Sequence, residues 1–371
     1  MDPHGGPRPM TIYLDYQATT PLAPEAFDAM VPLLRDQFAN PHSPHRLGRA
    51  VTAQVEIARA EILKLLPEGG RLLFTSGATE ALNMAIQGAP PGGIVTIATE
   101  HAAVLDTVEA QGRAGRDITI LPVGTDGLVD LDEAARAIRP GVALVAAMLV
   151  NNEIGVIQPI AELADLAHRA GALFLCDAVQ GYGRVPIPDS CDMIAISAHK
   201  IHGPKGIGAL WLRDGVTLTP IIHGGGQEGG LRSGTLSPAL CAGFGAAARL
   251  MRERAETDGA HVESLWTAAR ALFSRWTLNG SADRRYHGNL NLRRAGVDGA
   301  RLLSDCRNVA FSLGSACASG SGRPSHVLRA LGLSDAEARG SVRIGFGRYT
   351  TLAELEDAAG IVNEAAERSA P

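Results

Sequence analysis

Between residues 70 and 213 the chain keeps returning to one pattern. Short apolar runs ("RLLFTSG", "GIVTIAT", "DITILPV", "VALVAAMLV", "ALFLCDA", "MIAISA" and "GALWLR") are separated in several places by segments with apolar residues at helical spacing, among them "ATEALNMAIQGA", "AAVLDTVEAQGRAG" and "IAELADLAHRAG". Runs of strand length that alternate with helical periodicity predict an α/β chain built on a mainly parallel, seven-stranded sheet with helices on both faces. After about residue 238 the pattern changes. Two long helical stretches, "PALCAGFGAAARLMRERAETDG" and "HVESLWTAARALFSRW", lead into short strands ("YHGNLNLR", "NVAFSLG", "SVRIGFG") mixed with helices. This predicts a large domain over 12–252 and a smaller α+β domain over 253–371, with 1–11 as an N-terminal arm. The length of 371 residues agrees, since one core rarely serves more than roughly 250–300 residues.

Several function classes drop out. The net charge is −5 and there is no long basic run, so neither nucleic acid nor an anionic membrane is an expected partner. The longest apolar stretch, "GVALVAAMLV" at 141–150, is about half the roughly 20 residues of a membrane helix. "MDPHGGPRPM" lacks a secretory pattern, and a cytoplasmic protein is expected. The cysteines, Cys176, Cys191, Cys241, Cys306 and Cys317, are scattered without a C-x-x-C pair, which argues against a disulfide framework. His199 and His202 have no third ligand near them in sequence, so no metal site is expected.

In open α/β sheets ligands bind beyond the carboxyl ends of the strands, and four motifs sit at such ends. In "FTSGATEALN" a strand runs into a Gly turn and a helix start. Thr79 there is either an ordinary first-turn residue or, with the helix N-terminus, part of a phosphate cradle. Asp177 closes the apolar run "LFLCD", where a carboxylate usually meets a cation. Lys200, in "SAHKIHGPKG", is either a solvated loop residue or an amine whose pKa burial would lower, with Ser197 and His199 beside it as anion ligands. His101 follows the strand in "ATEHAAV". Together these give a phosphate cradle, a carboxylate, and a lysine 23 positions beyond it. That is the set required by pyridoxal 5′-phosphate: hydroxyls and N–H groups for its phosphate, a carboxylate for its ring nitrogen and an amine for its aldehyde.

The ordered series "YLDYQATTPL", "NPHSPHRLGR", "TSGATEALN", "EHAAV", "LVNNEIGVIQPI", "DAVQ", "SAHKIHGPKGIGAL", "GGGQEGGLRSGT", "NLNL", "GSACAS" and "GFGRYTT" covers nearly the whole chain. It resembles the cysteine desulfurases of the iron–sulfur and nitrogen-fixation type, fold-type-I pyridoxal-phosphate enzymes of the class V aminotransferase superfamily. The resemblance implies that Lys200 binds the cofactor aldehyde, Asp177 the ring nitrogen and Gln180 the ring hydroxyl, while His101 stacks on the ring and moves protons. It assigns Ala78, Thr79, Ser197 and His199 to the phosphate, and Thr235 to the phosphate site of the other subunit of a homodimer. Asn152 is placed near cofactor and substrate, and Arg348 on the substrate carboxylate, with Arg343 as the alternative. Cys317 becomes the catalytic cysteine that takes sulfur from L-cysteine as a persulfide, leaves L-alanine, and passes the sulfur to an acceptor protein for cluster assembly or tRNA thiolation.

Two other enzymes on this fold, a selenocysteine lyase and a class V aminotransferase, would share Lys200 and Asp177. A non-catalytic sulfur-assembly scaffold is the third alternative. Phe311 and Leu313 depart from the family's usual approach to the cysteine, and the sequence ends at "AAERSAP" without the tail with which housekeeping members dock a cluster scaffold. The Gly/Ser content of "FSLGSACASGSG" predicts a mobile segment around Cys317.

Overall fold

The computed structural model describes residues 11–313 and 324–369. The strands are β1 (Ile12–Tyr13), β2 (Gly70–Thr75), β3 (Gly93–Ile97), β4 (Ile118–Leu121), β5 (Val142–Met148), β6 (Leu173–Asp177), β7 (Met193–Ser197), β8 (Gly208–Arg213), β9 (Thr277–Leu278), β10 (Asn289–Arg293), β11 (Val309–Ala310), β12 (Ser312–Leu313) and β13 (Ser341–Gly345). The helices are α1 (Pro24–Arg35), α2 (Arg46–Leu63), α3 (Ala78–Gly88), α4 (Ala102–Arg113), α5 (Leu131–Ala137), α6 (Ile160–Ala170), α7 (Pro238–Glu253), α8 (Ala255–Leu272), α9 (Gly299–Asp305), α10 (His326–Ala330), α11 (Asp335–Arg339) and α12 (Leu352–Ser369).

The seven apolar runs of the sequence form one sheet, in the order β2-β8-β7-β6-β5-β3-β4. Six strands run the same way, and β8 runs against both of its neighbours. Alternate side chains of each strand enter opposite cores, as the period of a strand requires. On β5, Val145 and Ala147 pack into one core with Phe74, Phe174 and Trp211, while Leu144 and Ala146 pack into the other with Leu73, Leu175 and Leu210. Helices close both faces. On α6, for example, Ile160, Leu163, Ala164 and Ala167 are the buried stripe, and Gly171, at φ 77°, ends the helix in the left-handed conformation. The shared strand direction brings Thr75, Ile97, Met148, Asp177 and Ser197 to one edge of the sheet.

A second, antiparallel sheet of order β12-β13-β10-β9 carries its own core, in which Leu290, Leu292, Val342 and Ile344 pack with Val262 and Leu265 of α8 and Leu355 and Val362 of α12. The N-terminal residues join this second body, contrary to a boundary drawn at residue 12. β1 pairs in parallel with β11, and Leu14 lies in the second core. No helix among the described residues is long and apolar enough to cross a membrane.

Candidate active site

At the carboxyl edge of the large sheet lies a cavity of about 760 Å³. Lys200 reaches it from a single 3₁₀ turn, Ala198–Lys200, that follows β7 directly. Its Nζ donates to the carbonyls of Gln17 and Ala18, so the N-terminal segment holds the amine in place. Burial, with Arg343 and Arg184 nearby, lowers the pKa of this amine to about 8. A lysine of that kind is neutral often enough to attack an aldehyde.

Asp177 ends β6 and is 6% exposed. One of its oxygens accepts from the Val179 N–H at 3.0 Å. Burial raises its pKa, against the pull of that hydrogen bond and of His101 and Lys200. Asp177 has no ion-pair partner among the described residues. A buried carboxylate of this kind fits a protonated ring nitrogen, which would supply the missing cation. His101 caps α4: its Nδ1 accepts from the Ala103 N–H at 3.0 Å, which puts the ring proton on Nε2. Burial lowers the pKa of its imidazole, which favours the neutral ring. Gln180 donates to the Gln17 carbonyl at 2.9 Å and lines the same cavity.

The phosphate end fits as well. Gly77 caps α3 with no side-chain bond, and a Cβ built on it would meet nothing within 4 Å, because that side opens into the cavity. The helix N-terminus is thereby left to an anion. Ala78, Thr79, Ser197 and His199 line the cavity beside it. His199 Nδ1 lies 3.1 Å from Thr19 Oγ1, and burial together with Lys200 and Lys205 lowers its pKa to about 4. It therefore meets a phosphate as a neutral donor. The residues present fit pyridoxal phosphate at each of its polar groups.

The substrate end corrects the sequence expectation. Arg348 is not in this cavity. Its Nε and Nη2 both lie 2.7 Å from Asp258 Oδ2, and it lines a separate cavity of about 250 Å³ between the two cores. The reason is positional, since Arg348 follows β13 in the turn that leads to α12, where it meets α8. Arg343, inside β13, faces Lys200 and Asn152 in the large cavity, donates to the Asn152 carbonyl at 3.0 Å and to Asp15 Oδ1 at 2.8 Å, and keeps its Nε buried without an acceptor. Thr235 is exposed and lies outside the cavity lining. Cys317 and the mobility expected of its surroundings lie outside the described residues. Before it, Phe311 is buried in the second core and Leu313 packs against that core.

Two wall residues, Glu153 and His326, and the buried acid Glu100 had no sequence signal. Glu100 is fully buried beside Asp177. It accepts from the Met148 N–H at 2.7 Å through one oxygen, while the other has no partner among the described residues, and burial and Asp177 raise its pKa. Glu153, pushed up to about 8 by burial, accepts from the Ser325 hydroxyl. His326 Nε2 donates to the Glu100 carbonyl at 2.9 Å. Only the fold brings these side chains together.

Comparison with known proteins agrees with this geometry. The family model for aminotransferase class-V matches residues 12–357. The chain belongs to the cysteine desulfurases, within the class-V aminotransferase family. It is 47% identical to the mitochondrial cysteine desulfurase of Eremothecium gossypii, over 95% of this chain and 74% of that protein. It is 44% identical to the cysteine desulfurase IscS of Rickettsia bellii, over 95% of this chain and 90% of that one. Among solved structures, a NifS-like protein superposes with a TM-score of 0.89 at 29% identity, covering 97% of this chain and 100% of the other. The chain is thus a pyridoxal-phosphate-dependent desulfurase of fold type I. The comparison overturns the expected cytoplasmic location, because the Eremothecium relative is named as a mitochondrial enzyme.

Proposed function

We propose that the large cavity binds L-cysteine against pyridoxal phosphate and that Cys317 receives the sulfur. The observation that carries this reading is the convergence of Lys200, Asp177 and Arg343 on one cavity, an amine, a carboxylate and a guanidinium matched to the aldehyde, the ring nitrogen and the substrate carboxylate. When bound, the cofactor supplies the electron sink that makes the substrate's α-proton removable. Lys200, once displaced by the substrate amine, is the base for that proton. Asp177 would hold the protonated ring nitrogen, and His101 would lie against the ring. Gln180 and Asn152 hold the ring hydroxyl and the substrate, while Ala78, Thr79, Ser197 and His199 hold the phosphate. The Cys317 thiolate attacks the substrate sulfur, so that an S–S bond forms as the C–S bond breaks, and L-alanine leaves after reprotonation. The persulfide then passes to an acceptor protein.

A homodimer completes this reading, with Thr235 directed to the phosphate of the other subunit. An exposed apolar face supports it: Phe27 and Leu34 on α1, Leu47 and Ile57 on α2, and Phe38 between them, with Phe38 81% exposed. The test of the sulfur step is Cys317→Ser. The variant is expected to bind L-cysteine, seen as a change in cofactor absorbance, and to release no sulfide under reducing conditions. Sulfide release at the wild-type rate would remove Cys317 from the mechanism.

A further inference from the structure

Arg343 is held unusually firmly for a side chain that must meet a ligand. It is 1% exposed, and its guanidinium is fixed at two points, by the Asn152 carbonyl on Nη1 and by Asp15 Oδ1 on Nη2. Asp15 is itself fixed. Its other oxygen accepts from Ser312 Oγ at 2.8 Å, and Ser312 is the residue paired with Arg343 across β12 and β13. The backbone at Asp15 runs parallel to Gly345, with the Gly345 N–H donating to the Leu14 carbonyl at 2.8 Å. That approach needs glycine, since a Cβ at 345 would stand 1.7 Å from Gln17 Oε1. The arrangement leaves Nε buried without an acceptor among the described residues, on a guanidinium that belongs to the cavity wall. A planar guanidinium binds a carboxylate through two parallel N–H groups only when its plane is correctly set. The negative charge of Asp15 also offsets the repulsion between Arg343 and Lys200, which lie close enough to affect one another.

We propose that Asp15 is a positioning residue for substrate binding: it sets the plane of the Arg343 guanidinium so that the remaining N–H groups receive the carboxylate of an amino-acid substrate. The inference rests on the reading that Arg343 is the carboxylate ligand. It adds a determinant of specificity that comes from the N-terminal segment and lies 328 positions away in sequence.

The test uses the loaded enzyme and two amines, L-alanine and L-alaninol, which differ in the carboxylate alone. Each is titrated by cofactor absorbance against wild type, Asp15→Ala, Asp15→Asn and Arg343→Ala. Loss of alignment at a bidentate contact costs roughly 10- to 100-fold. Asp15→Ala is therefore expected to weaken L-alanine by that factor and to leave L-alaninol within about threefold of wild type. In turnover, KM for L-cysteine should rise more than kcat falls. Asp15→Asn, nearly isosteric, keeps the test available if the alanine variant folds poorly, and should show a smaller loss of the same selectivity. Equal weakening of both amines, or no weakening, would overturn the proposal. If Arg343→Ala loses L-alanine selectively and neither Asp15 variant does, the inference about Asp15 fails alone. If Arg343→Ala binds L-alanine normally, the reading of Arg343 fails and takes this inference with it.

Discussion

Two cavities in this molecule each hold a buried arginine from one short stretch, Arg343 and Arg348, and only the larger is the proposed active site. In the larger, Arg343 stands with groups whose charged forms burial disfavours: the Lys200 amine lowered to about 8, Glu153 raised to about 8, and Asp177 raised with no ion pair among the described residues. In the smaller, Arg348 spends two nitrogens on Asp258. Each arginine has a carboxylate partner, Asp15 or Asp258, and each keeps one buried nitrogen without a partner among the described residues; what differs is the company, and in the smaller cavity the pair fastens α8 to the turn after β13. A buried charge among groups left unsettled is arranged for a partner that arrives later.

The largest expected effect separates chemistry from structure in the larger cavity. Lys200→Ala should lower desulfurase turnover by roughly a thousandfold or more while the purified protein melts no lower than wild type, because a buried amine is removed at little structural cost. A melting temperature that falls sharply would mean that the lysine is a structural fastening after all. The next effect contrasts the two arginines. Arg343→Ala should reduce kcat/KM for L-cysteine by roughly 100-fold. Arg348→Met should leave KM within about threefold and instead destabilise the fold by about 2 kcal/mol, because Asp258 loses Arg348 and keeps only Arg254 among the described residues. Chemical denaturation and steady-state kinetics on both variants check this, and the reverse pattern would exchange their roles. The smallest effect is a slope. Lys200 titrates near 8 in the folded, cofactor-free protein and at 10.5 in its unperturbed state. The unfolded chain therefore binds more protons between those values, and stability should rise with pH from about 8 to 10.5. That rise should be absent in Lys200→Met and absent below pH 8.

Much of the site could be read from sequence because its residues adjoin strand ends. Asp177 is the last residue of β6, Lys200 sits three residues beyond β7, and Gly77 to Thr79 begin the helix after β2. A strand end is a local feature, and local features leave a sequence pattern. The choice between Arg343 and Arg348 is not local. It depends on the pairing of β13 with β10 and β12 and on where α8 packs. Asp15 was visible inside "YLDYQ" but its partner was not, and Glu100 looked like a neighbour of His101 rather than a buried acid. The fold class and all seven strands of the large sheet followed from periodicity. The placement of residues 12–14 did not, because a two-residue strand has no period to read.

The attachment of the N-terminal segment also has a consequence in time. β1 pairs with residues 309–310, Asp15 bonds Arg343, and Gln17 donates to the Gly288 carbonyl across 271 positions. The sheet that carries Lys200 and Asp177 is complete by residue 213, well over a hundred residues before Arg343 leaves the ribosome. These contacts of residues 12–17 must therefore wait for partners that follow by 271 positions or more, and they stay unmade until then. The part of the site built from Lys200 and Asp177 can assemble during synthesis, whereas the proposed substrate-binding part is set only after residue 343 is made.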